Sequence, residues 1–488
     1  MSAPNPGLRG LTATVPFRSA RILRRTRSLC PVCLRPIDAA YVAANGDGGG
    51  ADIGDARADV LLVKTCPDHG DFSAPAWRWP GVEGIPFVDW SRGKSPSPVP
   101  FPSRTTGKGC PYDCGLCPSH AQHTCLGLVE VTRRCDLGCP LCYASARNAD
   151  APPDPALDEI RETLTRLRKL AGPCNVQISG GEPTMRDDLP EIVECARKLG
   201  FGLLQVNTNG LRFAREPGYA ATLRHAGLDG LYLQWDGVDD DVFTHLRGRP
   251  LLAEKRACIA AATEAGLGTV LVATVVGGIN HGQLGDLLRL SLSLGTGVRG
   301  LHLQPAAFFG RYPYALEEAP RLTLSEVMGE LARQAPELVR LAEFHPPGCE
   351  HALCSFSAVY AREGGNLRHI GQAECCPPAP PGPLPTAAEG ARASKAFVAA
   401  HWKGGESGGK ESGTGGGTAA KDDFGRFLRQ VGEGRRFTLS GMAFQDALSL
   451  DLDRTRGCCV HVARPDGRLV PFCLHNLTSR DGHLLHPR

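Results

Sequence analysis

Val131-Thr-Arg-Arg-Cys135-Asp-Leu-Gly-Cys139-Pro-Leu-Cys142 follows directly on an apolar, β-branched run, Leu128–Thr132, that reads as a strand. Its cysteines are spaced C-x3-C-x2-C, a loop short enough to wrap three corners of a cubic iron–sulfur cluster. Three thiolates leave the fourth iron without a protein ligand, and an open metal position accepts an external ligand. A buried electron-transfer cluster takes four cysteines, so this spacing points to catalysis. Zinc sites also use close Cys pairs, so the loop alone leaves both readings open.

Outward from the loop, short apolar runs alternate with helix-like segments. The strand candidates after Leu128–Thr132 are Asn175–Ser179, Gly202–Thr208, Gly230–Gln234, Thr269–Val276 and Gly300–Gln304, with amphipathic stretches such as Leu157–Leu170 and Leu189–Leu199 between them. The pattern predicts an α/β fold, a partial (β/α)6 barrel over about residues 127–320. A full eight-unit barrel needs more chain. Polar, Gly-bearing turns end the later strands: Ser179-Gly180-Gly181-Glu182-Pro183-Thr184, Asn207-Thr208-Asn209-Gly210 and Gln234-Trp235-Asp236-Gly237. The βα loops of a parallel barrel open onto one face, where ligands collect.

Together these features closely resemble the radical SAM superfamily. The resemblance implies that Cys135, Cys139 and Cys142 hold a catalytic [4Fe–4S] cluster and that Gly180, Gly181 and Glu182 receive the amino group of S-adenosylmethionine. It places Thr208, Asn209, Gln234 and Asp236 at the methionine carboxylate or the ribose. It also implies reductive cleavage to a 5′-deoxyadenosyl radical, hydrogen abstraction from an unactivated C–H bond, and an electron donor such as ferredoxin or flavodoxin. A non-catalytic iron–sulfur electron carrier is the reading from another class. Such a carrier has no use for six βα units with a Gly-Gly-Glu turn.

Composition agrees with a large soluble enzyme. The 488 residues suggest two to four domains. A formal charge of +3 gives no electrostatic case for nucleic acid. The longest apolar run, near Ala265–Gly278, falls short of the roughly 18–20 residues that span a bilayer and reads as a buried strand. A cytoplasmic protein is expected, with at most transient membrane contact if the substrate is a lipid. The Arg-rich first 29 residues faintly resemble a transit peptide, but they run into Cys30 without a cleavage-like spacer and read as a basic, partly disordered start.

The 20 cysteines are grouped, which in a chain of this length favours metal over disulfides. Residues 1–100 carry Cys30-Pro-Val-Cys33 and Cys66-Pro-Asp-His69, a rubredoxin- or zinc-ribbon-like module for zinc or iron, ending in a Pro/Ser-rich linker, Lys94–Pro102. His69 is its weakest member, since a His in an Asp-His-Gly turn also serves as a cap. In residues 101–126, Cys110, Cys114 and Cys117 repeat the C-x3-C-x2-C spacing and suit an auxiliary cluster. Cys125 is either its fourth ligand or a small apolar residue entering the first strand.

Residues 321–488 form a C-terminal auxiliary-cluster region with Cys349, Cys354, Cys458, Cys459 and Cys473, interrupted by a flexible insertion at about 377–423. The side chains of Cys458 and Cys459 diverge in an extended segment, so one serves each of two clusters or one is merely buried. Cys375-Cys376 is either redox-active or unused, while Cys174, Cys195 and Cys258 read as core.

The run Cys110–Thr124 and the ending Gly441-Met-Ala-Phe-Gln-Asp446, Cys458-Cys-Val-His461, Pro465-Asp-Gly, Pro471-Phe-Cys473 resemble one branch of the superfamily. That branch holds the archaeal tetraether lipid synthases, the enzymes that methylate a pterin precursor, and many uncharacterised bacterial members. It implies one or two auxiliary [4Fe–4S] clusters and an N-terminal metal site. Carbon–carbon coupling of lipid tails is the first expectation, and it requires a deep apolar channel. Radical methylation of a pterin-like or other soluble substrate is the second.

Overall fold

The computed structural model describes residues 21–44, 58–80, 84–92, 107–115, 117–146, 151–363, 366–370 and 436–487, with isolated positions between 386 and 392. The Lys94–Pro102 linker, Cys375-Cys376 and nearly all of the 377–423 insertion lie outside these residues.

Four strands open the chain: β1 (Arg21–Leu29), β2 (Pro36–Ala43), β3 (Val60–Cys66) and β4 (Gly70–Trp77). They pair antiparallel in sequence order. The turns after β1 and β3 carry the two Cys-bearing pairs to the same end of this sheet. A short helix, α1 (Phe87–Trp90), packs Phe87 and Trp90 against Trp77.

The central units follow as β5 (Leu126–Thr132), α2 (Leu157–Ala171), β6 (Asn175–Gly180), α3 (Leu189–Lys198), β7 (Leu204–Thr208), α4 (Leu211–Arg215), α5 (Tyr219–His225), β8 (Gly230–Gln234), α6 (Asp240–Arg247), α7 (Leu252–Glu264), β9 (Gly268–Val275), α8 (Leu284–Ser293) and β10 (Val298–Pro305). All six expected strands form, with ends shifted by at most two residues. Helix α2 shows why the units hold: Ile160, Thr163, Leu164 and Leu167, at helical spacing, are its buried face. Leu164 and Leu167 join a core with Val129, Ile178, Val206, Leu231 and Leu271 from successive strands. Each such side chain contributes about 1.5–3 kcal/mol when fully buried. Cys174 and Cys258 are fully buried in that core and Cys195 packs against it, as expected.

The remaining elements are α9 (Leu324–Gln334), β11 (Ser355–Glu363), β12 (Asn366–His369), β13 (Arg436–Met442), β14 (Val460–Ala463) and β15 (Leu469–Pro471). Parts of this C-terminal chain join the central sheet. Strand β13 pairs parallel with β10 at one edge of the central sheet, and β14 pairs parallel with β5 at the other. The sheet order is β12-β11-β13-β10-β9-β8-β7-β6-β5-β14-β15. The C-terminal chain thus extends the six-strand sheet at both edges. It also anchors the N-terminal sheet: buried Asp451 accepts hydrogen bonds from Thr26 Oγ1 and Tyr41 Oη, each at 2.6 Å, and Lys64 Nζ donates to Ala447 O at 2.7 Å.

Candidate active site

Cys135, Cys139 and Cys142 lie in the loop between β5 and α2 and line one cavity of about 270 Å³. That cavity also reaches residues at the carboxyl ends of β6–β10. The loop is held by main-chain contacts. Gly181 N donates to Thr132 O at 2.9 Å and Glu182 N to Arg134 O at 2.8 Å. A Cβ on Gly180 (φ +136°) would lie 2.2 Å from Thr132 O, and one on Gly181 would lie 2.1 Å from Arg134 O. The glycine pair is therefore what lets the β6 turn touch the cysteine loop.

On its other side, Cys142 and Arg311 exchange main-chain hydrogen bonds of 2.8 and 2.9 Å, and Arg311 Nε donates to Cys139 O at 2.8 Å. Burial pushes the Cys135 thiol up to about 12, so its thiolate forms only with a cation to hold it. Three thiols aimed into one cavity, with no fourth cysteine in its lining, fit a cluster with one open iron.

The Glu182 carboxylate is the hub of the neighbouring turns. Its Oε1 accepts from Thr184 N, Thr184 Oγ1 and Thr208 Oγ1 at 3.1, 2.7 and 2.8 Å, and Oε2 accepts from Asn209 N at 2.6 Å. Burial raises its pKa while those donors oppose the shift. Oε2, with one donor, retains capacity for a further partner. Asn209 Nδ2 donates to Asp136 Oδ1 at 2.6 Å, which ties the β7 end to the cysteine loop. Gln234 lines the cavity and accepts from Lys255 Nζ at 2.8 Å.

Asp236 differs from expectation. It is absent from the cavity lining; instead it grips Arg247, whose Nε and Nη2 donate to its two oxygens at 2.6 and 2.7 Å. Arg247 does reach the cavity, at the end of α6, and also donates to Thr274 Oγ1 at 3.0 Å. Burial disfavours the guanidinium, yet the Asp236 charge holds its pKa above the ordinary arginine value.

Further residues line the cavity, of which only Ser179 and Asn207 fall in the turns read from the sequence. Gln177, Ser179, Asn207, Tyr232, His302 and Gln304 place polar groups inside the barrel. Asn207 Nδ2 lies 3.3 Å from Gln177 Oε1, Tyr143 Oη lies 3.2 Å from Ser179 Oγ, and the buried Asn207 Oδ1 has no partner among the described residues. The opposite wall is aromatic: the Phe472 ring lies 5.4 Å from Tyr143 and 4.5 Å from Phe444. A signal was present, since polar residues recur at every second position of otherwise apolar strands, as in Gln177/Ser179 and His302/Gln304.

The other cysteines separate into distinct groups. Cys30, Cys33, Cys66 and His69 present ligand atoms all within 4.8 Å of one another, with His69 Nδ1 3.6 Å from Cys30 Sγ and 3.4 Å from Cys66 Sγ. His69 is thus a full member, and the set suits a tetrahedral ion. Cys110, Cys114 and Cys117 border a small cavity of their own. Cys125 does not join them: its Sγ groups within 4.8 Å of those of Cys349 and Cys459. Cys354, Cys458 and Cys473 line a further cavity. Cys458 and Cys459 therefore lie in different groups, one beside Cys354 and Cys473 and the other beside Cys125 and Cys349.

The radical SAM superfamily model matches residues 129–291, and the HMPTM N-terminal zinc ribbon domain model matches residues 22–78. A 7,8-dihydro-6-hydroxymethylpterin dimethyltransferase of Methanocaldococcus jannaschii is 28% identical over 512 residues, covering 94% of this chain and 94% of that protein. A probable GTP 3′,8-cyclase of Methanothermobacter thermautotrophicus is 29% identical over 169 residues, 34% of this chain and 54% of its own length. Among solved structures, Streptococcus suis SuiB aligns at 15% identity over 44% of this chain and 46% of its own, with a TM-score of 0.35. With its Cys loop, Gly-Gly-Glu turn and parallel strands, the chain carries a radical SAM domain and an N-terminal zinc ribbon domain, and it is a radical SAM enzyme.

Proposed function

We propose that this enzyme methylates a reduced pterin, or a similarly flat and nitrogen-rich ring, in preference to coupling lipid tails. The observation that carries the reading is the cavity itself. A lipid tail offers no hydrogen bonds, so it would leave the interior amides and hydroxyls of Gln177, Ser179, Asn207 and Gln304 without ligand partners. A pterin offers ring nitrogens and an amide edge to those groups, and a flat face to Tyr143, Phe444 and Phe472. The similarity to a pterin dimethyltransferase along nearly the whole chain supports the same side of the choice.

Within this reading, Cys135, Cys139 and Cys142 hold the catalytic cluster. When bound, the cluster and S-adenosylmethionine supply a carbon radical able to take hydrogen from an unactivated C–H bond. Glu182 would accept from the methionine ammonium through Oε2, and Arg247 would receive the methionine carboxylate. Thr208, Asn209 and Gln234 border the nucleoside. Asp236 acts on the ligand only through Arg247. Phe309, Phe444 and Phe472 keep water from the reacting centre. The N-terminal Cys30, Cys33, Cys66 and His69 set holds zinc or a single iron, the cysteine groups of the Cys110 loop and the C-terminal chain hold auxiliary clusters, and an external donor such as ferredoxin or flavodoxin supplies electrons. Among the described residues no helix is long and apolar enough to cross a membrane.

The test uses anaerobically reconstituted enzyme with reductant, S-adenosylmethionine and a perdeuterated cell extract split into aqueous and lipid fractions. Deuterium in 5′-deoxyadenosine from the aqueous fraction, reproduced on adding 7,8-dihydro-6-hydroxymethylpterin, is the expected result. Label arriving only from the lipid fraction would return the reading to tail coupling.

A further inference from the structure

Removing Cys125 from the Cys110 loop leaves that loop with three thiols, and the residue beside them is a histidine. Cys110-Pro-Tyr-Asp-Cys114-Gly-Leu-Cys117-Pro-Ser-His120 continues the loop by one more turn, with His120 N bonded to Cys117 O at 2.9 Å. Cys110, Cys114, Cys117 and His120 line the same small cavity. No other Cys, His, Asp or Glu lines it among the described residues.

The imidazole is already oriented. His120 Nε2 lies 2.7 Å from the Cys458 carbonyl oxygen, which only accepts, so Nε2 carries the proton. His461 fits the same tautomer. Its Nε2 lies 3.1 Å from His120 Nε2 as a second acceptor, and its Nδ1 donates to Thr124 Oγ1 at 3.1 Å. A neutral ring protonated at Nε2 carries its lone pair on Nδ1, and the hydrogen bonds that His120 makes through its ring among the described residues are both at Nε2. Donation of one ring N–H to a main-chain carbonyl is the support that metal-bound histidines use to fix tautomer and raise basicity. The His120 ring is mostly buried, and it lines the cavity that Cys110, Cys114 and Cys117 share.

We propose that His120, through Nδ1, is the fourth protein ligand of the cluster held by Cys110, Cys114 and Cys117. The inference rests on the reading that this cysteine group binds an iron–sulfur cluster. It adds that the site is closed to external ligands, unlike the Cys135 site, and that one of its ligands is uncharged. Replacing a thiolate by an imidazole makes the cluster less negative and raises its reduction potential. His120 also hydrogen-bonds the main chain of Cys458, whose side chain belongs to the Cys354/Cys473 group, so the imidazole bridges two cysteine sites.

The test is made on full-length protein carrying Cys135→Ala, Cys139→Ala and Cys142→Ala, so that only auxiliary sites contribute. Pulsed EPR of the reduced protein should show strongly coupled nitrogen that changes when the histidines are ¹⁵N-labelled. The coupling should vanish in His120→Cys with iron content retained, and survive in His69→Ala. The auxiliary midpoint potential should fall in His120→Cys. Absence of strong nitrogen coupling with this cluster present, or its survival in His120→Cys, overturns the assignment. The underlying reading has a separate readout: if Cys110→Ala/Cys114→Ala/Cys117→Ala loses no iron relative to its parent, no cluster sits there. The ¹⁵N comparison needs no variant at His120, so it stands even if His120→Cys does not fold.

Discussion

Asp236→Asn isolates the point on which sequence and structure disagree. The substitution keeps an oxygen for the 3.0 Å contact with Thr274 N but removes the charge that grips Arg247. Breaking a buried pair by deleting one partner costs about 3–5 kcal/mol, because the other charge is left uncompensated. If Arg247 receives the carboxylate of S-adenosylmethionine, losing one well-placed charged hydrogen bond costs about 1.5–3 kcal/mol of binding, roughly 10- to 150-fold.

Asp236→Asn and Arg247→Ala should therefore each weaken S-adenosylmethionine binding by about that factor, measured by anaerobic equilibrium dialysis. The double variant should match Arg247→Ala to within about 0.5 kcal/mol, roughly twofold, because both changes remove one interaction. Its apparent melting temperature should lie above that of Asp236→Asn, since no unpaired buried cation remains. Were Asp236 itself a ligand contact, the two losses would add and the double variant would bind about the square of the single factor more weakly. Additivity of that size would refute the positioning role.

Gly181→Ala should lose catalytic-site iron and S-adenosylmethionine cleavage together, because its Cβ would meet Arg134 O at 2.1 Å; Gly138→Ala, in the same loop with nothing within 4 Å, should keep both by iron assay and chromatography of 5′-deoxyadenosine. Replacing Cys135, Cys139 and Cys142 by Ala should abolish 5′-deoxyadenosine formation while auxiliary iron persists; continued cleavage would move the catalytic role to the Cys110 loop. His69→Ala should lower bound zinc or mononuclear iron by about one equivalent and reduce thermal stability, because such ions contribute directly to folding. Unchanged metal content in that variant would return His69 to a capping role.

The central units were legible because their strands are apolar, their helices carry one buried face, and each strand ends in a Gly-bearing turn. The cysteine triad was legible for a similar reason: its three ligands lie within eight consecutive residues, Cys135 to Cys142, so spacing alone encodes the site. What escaped depends on contacts distant in sequence. Arg247 lies eleven residues beyond Asp236, and nothing local says that the carboxylate grips the guanidinium instead of a ligand. Cys125 joins Cys349 and Cys459 only because β14 pairs with β5, a contact between residues 460–462 and 126–128. A parallel pairing that distant leaves no local periodicity from which to infer it.

That same pairing explains why the reaction class is easier to read than the substrate. The residues assigned to the cluster and S-adenosylmethionine come from successive loops of one parallel sheet, where sequence order and spatial order agree. The substrate wall is composite. Met442 and Phe444 arrive with β13 at the β10 edge, while Val460 and Phe472 arrive with β14 and β15 at the β5 edge. Cys459 and Cys473 sit immediately beside Val460 and Phe472, so the chain that forms the wall also carries auxiliary cysteines. Loading those sites should therefore stiffen the aromatic wall as well as store electrons, since metal ligation removes freedom from the chain that carries both. Substrate affinity measured without turnover should accordingly depend on auxiliary iron: Cys473→Ala should weaken pterin binding while leaving S-adenosylmethionine binding at the β6–β8 turns unchanged. If pterin affinity is indifferent to that substitution, the wall is positioned by packing alone and the auxiliary site serves electron transfer only.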